Sequence, residues 1–198
     1  MLTEKILGII ASIFIFLSMI LDIILFFQEE LGLAIIINIL FFGIIITGII
    51  LLTISKFIIS KKISEQTVFY DTLTFAILWI IALIIPLISP FVLTDISHET
   101  FYTWILFIIG LAVHFLYLVG TEFLYKSFKV ISENTKNGLF KIVGYLFMAG
   151  AMLVFVFYIV GSLLGAMLLP ILGLIFFVIA AIIQIIAFSM INEKNFYK

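Results

Sequence analysis

The chain contains no cysteine and no arginine, and only 11% of its 198 residues are charged. Without cysteine there can be no disulfide framework, no thiolate metal site and no cysteine nucleophile. Without arginine there is no planar, bidentate clamp for phosphate, which would have to rest on lysine alone. The net charge is −1 with no block of like sign, so the footprint of a nucleic-acid binder is missing and so is a basic tail. An ordinary soluble domain carries about a quarter charged residues. What fills this chain instead is apolar: 66% of residues are hydrophobic, 23 of them phenylalanine, and the mean hydropathy is +1.45. A soluble fold of this size leaves too much surface in water to hide that composition. The solvent implied is lipid, and the fold class expected is all-α, a polytopic bundle of transmembrane helices.

A bilayer core of about 30 Å needs roughly 20 apolar residues at ~1.5 Å each. Six such runs occur, at about 6–27, 31–54, 73–93, 101–121, 139–164 and 168–190, and together they are read as a single transmembrane domain covering 1–198. The first is too long for a signal-peptide core, and its exit, Phe26-Phe27-Gln28-Glu29, has no small-residue cleavage pattern, so it is expected to remain as a span. Threading six spans places Lys5, Lys56, Lys61, Lys62, Lys126, Lys129, Lys136, Lys141, Lys194 and Lys198 on one side and no lysine on the other. Lysine near span ends is retained in the cytoplasm, which predicts a multi-pass cell-membrane protein with both termini inside. The external connections are too short for a folded ectodomain. The cytoplasmic ones, 55–72 and 122–138, are read as loops of about 17 residues.

Those two loops share an echo, Ile63-Ser64-Glu65-Gln66-Thr67 and Ile131-Ser132-Glu133-Asn134-Thr135, and spans 1 and 5 open alike on Lys5-Ile6-Leu7-Gly8 and Lys141-Ile142-Val143-Gly144. Three related two-span hairpins in one orientation would produce this pattern, and so would coincidence in an isoleucine-rich chain. Ahead of the second pentapeptide, Phe123, Leu124, Phe128 and Ile131 share one helical face while Lys126, Lys129 and Glu133 point elsewhere. The segment reads as an interfacial helix or as an extension of span 4, with its lysines near lipid headgroups.

The stretch Tyr125-Lys126-Ser127-Phe128 through Ser132-Glu133-Asn134-Thr135, then Phe140, Gly144, Gly150 and Ile186-Ala187-Phe188-Ser189, resembles the archaeal membrane-protein family catalogued as domain of unknown function 996. Leu52-Thr53-Ile54-Ser55 and Val68-Phe69-Tyr70 are similar to that family's first half. The resemblance implies an archaeal or thermophile cell membrane and brings no catalytic residues with it.

Polar side chains inside the spans are the candidates for function, because an ionised group at mid-bilayer is costly, about 2.5–3.5 kcal/mol on insertion scales. Asp22 and Asn38 come to similar depth on antiparallel spans 1 and 2 and are expected to meet, with Ser18 one turn deeper. Such a pair would serve either as an ion or proton relay or as helix glue. His114, three residues before Tyr117, is either a relay or metal-binding group or a neutral packing residue. Gln184 lies beside a seam of Gly173, Ala180 and Ala187 and can bond across it, and Gly161 and Gly165 form a GxxxG pair. Pro86 and Pro90 remove two backbone donors from span 3 and are expected to kink it, a device transporters use around substrates.

The loop Asp95-Ile96-Ser97-His98-Glu99 gathers possible cation ligands, yet the position four residues after His98 is Tyr102 rather than a second histidine. No GxSxG elbow or phosphate-cradling glycine loop occurs. No enzyme, cofactor or metal is therefore expected. The expected partners are the lipid bilayer and other membrane subunits or a second copy, and nucleic acid is not among them. Two function classes remain: a structural, lipid-interacting or assembly protein, which the sparse intramembrane polarity favours, and, as the alternative, a small transporter or substrate-binding membrane subunit. Convergence of Asp22, Asn38 and His114 on a pocket would favour the second.

Overall fold

A computed structural model describes residues 2–27, 31–92, 99–164 and 169–191. Six helices account for them: α1 (Leu2–Phe26), α2 (Leu31–Lys62), α3 (Gln66–Val92), α4 (Glu99–Thr135), α5 (Gly138–Leu164) and α6 (Leu169–Ser189). All six are long and apolar enough to cross a membrane. Isoleucine is an indifferent helix former in water, because its branched Cβ loses rotamer freedom. In lipid that preference is overridden, since every backbone N–H and C=O must be bonded within its own segment.

The helices form a closed ring. Each packs against the next in sequence, most extensively within α1–α2, α3–α4 and α5–α6, and α6 returns against α1. The seventh residue of α1, α3 and α5 (Gly8, Thr72 and Gly144) is buried in every case. Gly8 receives the ring of Phe188 from the preceding helix of the ring, and Gly144 receives Tyr125 in the same way, with Cδ2 at 2.9 Å from an added Cβ. The shared openings of spans 1 and 5 thus occupy equivalent places. The pentapeptide echo does not: Ser64, at φ 58, closes the α2–α3 turn, whereas the left-handed residue after α4 is Lys136, at φ 53. The second copy lies within the last turn of α4, about one helical turn out of register with the first.

The expected cytoplasmic loops are far shorter than 17 residues, because their charged residues are helical. α2 continues to Lys62 and ends with Glu65 N–H donating to Ser60 O at 3.0 Å, a bond that caps the helix around the left-handed Ser64. α4 runs 37 residues, ~55 Å at ~1.5 Å each, well past a ~30 Å lipid core. Residues 122–135 are therefore an extension of span 4, with Leu124, Phe128 and Ile131 wholly buried. Asn137 caps α5: its Oδ1 accepts from Leu139 N–H at 3.1 Å and its Nδ2 donates to Ala187 O at 3.1 Å, tying the turn to α6. α3 is helical through Pro86 and Pro90 to Val92, and Ser89 Oγ donates to Pro86 O at 3.1 Å.

Each helix buries one seam. In α2 it runs Ile45, Ile49, Leu52, Lys56 and Ile59; in α4 it runs Thr121, Leu124, Phe128, Ile131 and Thr135. The alternating three- and four-residue steps keep one face turned inward. The α5–α6 crossing is a close approach. An added Cβ on Gly173 would lie 3.0 Å from Gly150 O and 2.8 Å from Val154 N, so only glycine lets these backbones meet. At the lysine-bearing end, the buried Glu4 side chain pairs with Lys62, and Ser55 Oγ donates to Glu4 O at 2.7 Å. The pair suits the dipoles of both helices, an acid in the first turn of α1 and a cation in the last turn of α2.

Candidate functional site

In the half of the bundle remote from the lysine-bearing end, the ring lines a partly open cavity of about 120 Å³. Met19 and Asp22 of α1, Phe41 and Ile45 of α2, and Trp79 and Leu83 of α3 form one wall. His114 and Tyr117 of α4, Ala151 and Val154 of α5, and Leu174 and Phe177 of α6 form the other. Two residues from each of six helices reach it, so the cavity exists only when the ring is closed.

Three polar side chains interrupt this apolar lining: Asp22, His114 and Tyr117. His114 is held in place twice. Its Nδ1 lies 2.7 Å from Gly110 O one turn back, and its ring stacks on Tyr158 at 4.2 Å between centroids and 18° between planes. Because a carbonyl can only accept, Nδ1 carries the proton and Nε2 of the neutral ring is left as an acceptor. Gly110 makes the stack possible, since a Cβ there would collide with the Tyr158 hydroxyl, which donates to Phe107 O at 3.3 Å. Trp79 is fixed as well: Nε1 donates to Tyr117 O at 3.2 Å, and its ring meets Tyr117 at 5.0 Å and Phe177 at 6.0 Å, both edge to face. Gly120 leaves room for that indole, whose Cδ1 would be 2.7 Å from an added Cβ. Asp22 takes part in no hydrogen bond or ion pair among the described residues.

Of the three polar residues whose convergence on a pocket would favour transport, Asp22 and His114 line the cavity and Asn38 does not. Asn38 is exposed on α2 beside Ile36, Ile39 and Leu40, and it neither bonds to Asp22 nor lines the cavity. The depth argument holds, but the azimuth fails: the inward stripe of α2 passes through Ile37, Phe41 and Ile45, and Asn38 is one residue, ~100°, away from it. Ser18 is buried and donates to Ile15 O of its own helix at 2.7 Å. Gln184 is wholly buried on α6, and neither its Nε2 nor its Oε1 has a hydrogen-bond partner among the described residues. Of the small-residue seam around it, Ala180 and Ala187 are fully buried and Gly173 makes the close crossing. The loop 93–98, with Asp95 and His98, lies outside the described residues, as does Gly165.

A second polar node escaped the sequence reading. Lys56, placed there on the cytoplasmic side, is fully buried. Its Nζ donates to Ser127 Oγ at 3.0 Å and lies 3.4 Å from the centre of the Phe128 ring, with Asp71 near enough to act on it electrostatically. Ser127 is 2.9 Å from Thr72 Oγ1 and donates to Val68 O at 3.2 Å, so the node joins α2, α3 and α4. A serine beside a lysine is a spacing some hydrolases use. Here Lys56, Ser127 and Thr72 are all fully buried, which leaves a substrate no approach, and the node is a structural tie. The missed signal is spacing, because Lys56 falls on the same three- and four-residue steps as Ile45, Ile49, Leu52 and Ile59.

No family model, no curated protein and no solved structure matches the chain.

Proposed function

We propose that this integral membrane protein is a substrate-binding membrane subunit or small transporter, whose central cavity takes a small solute with an apolar body and one polar group. The observation that carries this is the meeting of Asp22 and His114, from helices on different sides of the ring, on a cavity to which all six helices contribute. Pockets of this kind, apolar with a few convergent polar groups, are what ligands use between helices of a bundle. Toward the lysine-bearing end the core is filled by Ile49, Leu52, Phe75, Leu124 and Phe147, each at most 1% exposed. In this state the cavity is closed on that side, and transport would require those seams to part.

Filling the cavity tests the reading. Ala151, only 3% exposed, lines it, and Ala151→Leu should abolish retention of whatever small molecule co-purifies with the parent protein in native mass spectrometry. Equal retention by parent and variant, with both folded, would remove the cavity as the binding site.

The proposal places the lysine-bearing end in the cytoplasm of an archaeal cell, on the strength of the lysine asymmetry and of the resemblance noted above. The absence of cysteine gives a clean background for checking orientation. A single cysteine at the exposed position of Lys129 should react with a membrane-impermeant maleimide only after cells are opened. Labelling of intact cells would reverse the topology.

A further inference from the structure

We infer that the solute recognised in the cavity is a small organic cation, a protonated alkylamine or compact quaternary ammonium, with Asp22 as its counter-ion and aromatic rings as its cage. This rests on the cavity being a binding site, as proposed above, and adds the charge and size of what it takes.

The polar side of the cavity is built to accept. Asp22 supplies a carboxylate that pairs with no lysine among the described residues. The geometry at His114 assigns the proton to Nδ1, which leaves Nε2 as a lone pair. The indole N–H of Trp79 is already committed to Tyr117 O, as the His114 Nδ1–H is to Gly110 O, which leaves the Tyr117 hydroxyl as the donor at the wall. An anion would find one hydroxyl and a repelling carboxylate. A cation with N–H groups would find two acceptors, and one without them would still find the carboxylate.

The remaining lining favours the same charge. Phe41, Trp79, Tyr117 and Phe177 bring four aromatic rings to one small space, three of them interlocked edge to face around Trp79. Ring faces attract cations by ~0.5–1 kcal/mol at exposed sites and about 2 kcal/mol or more when dry, and rings joined with a carboxylate are a recurrent means of holding ammonium groups. Volume sets the scale. A dry cavity of ~150 Å³ admits benzene, so about 120 Å³ admits an amine of roughly four to six heavy atoms.

The test uses the full chain in nanodiscs of zwitterionic lipid, with Trp104→Phe removing the exposed indole so that Trp79 is the sole reporter. Isobutylammonium, isobutanol and isobutyrate are titrated as cationic, neutral and anionic probes of one shape, with tetramethylammonium as a donor-free cation. The expected result is a saturable change in Trp79 fluorescence, with isobutylammonium binding at least ~10-fold more tightly than isobutanol, tetramethylammonium also saturating, and isobutyrate silent. Asp22→Asn should erase the preference for the cation while isobutanol still binds. If isobutanol saturates as tightly as the ammonium in the parent protein, the cation assignment falls and the binding site stands. If no probe gives a saturable response, both fall. The comparison of probes on the parent decides the matter even where Asp22→Asn does not fold.

Discussion

Ser127→Ala is expected to lower the stability of the bundle by about 3 kcal/mol, while Lys56→Met leaves it within about 1 kcal/mol of the parent. The asymmetry follows from what each change strands. Ser127 is the single hydrogen-bond acceptor of the Lys56 ammonium among the described residues, and removing it leaves a buried cation against the Phe128 ring. A hydrogen bond to a charged group contributes about 1.5–3 kcal/mol, and breaking a buried polar pair from one side costs more than the pair itself was worth. Lys56→Met removes the charge with its donors and keeps an unbranched side chain of similar reach in the α2 seam. Ser127 then still meets Thr72 and Val68 O. Unfolding in graded detergent–denaturant mixtures measures both. If Lys56→Met is as damaging as Ser127→Ala, the lysine contributes net stability, and the node is more than a tie between helices.

Gln184→Met is expected to raise stability by about 2 kcal/mol. Most buried polar side chains have partners, and a buried amide with none carries a penalty of about 1–3 kcal/mol in protein mutational series. Gln184 is fully buried with both amide atoms unbonded among the described residues, on the face of α6 that also buries Ala180, Ala181 and Ala187. Methionine has nearly the same length and flexibility, so it fills the space without the amide. The same unfolding measurement checks it. A loss of stability would mean that the amide is satisfied in the membrane by a group it does not meet here, and Gln184 would then join the functional residues.

How much of this was legible beforehand depends on the kind of information each residue needed. The six spans follow from composition, because lipid exposure demands long apolar runs, and Ile35, Ile36, Ile39 and Leu40 do lie exposed on α2. The helix ends do not follow, because hydropathy reports where lipid ends and not where the helix does. Glu122 and Lys126 look like a loop by charge, yet they form an i,i+4 ion pair at 2.8 Å inside α4. Asp22 and His114 stand out singly as polar residues in apolar runs. Their meeting depends on ring order and helix rotation, which a linear depth count lacks, and Asn38 shows how one residue of rotation separates a cavity wall from an exposed face. Tyr117, Trp79 and Phe177 could not be told from ordinary core aromatics until the ring placed them around one space.

The closed ring also orders events in time. Asp22 enters the membrane on the first helix, but the α6 wall of its cavity, Leu174 and Phe177, is synthesised about 150 residues later, or ~8–30 s at ~5–20 residues per second. Over that interval the carboxyl group has only part of its eventual surroundings, and the α1–α2 hairpin must wait beside the insertion machinery or among lipids for a partner at the far end of the ring. A chain built this way is most vulnerable to quality-control proteolysis before its last helix docks. Slow translation between α2 and α6 should therefore reduce its yield more than the same delay placed after α6.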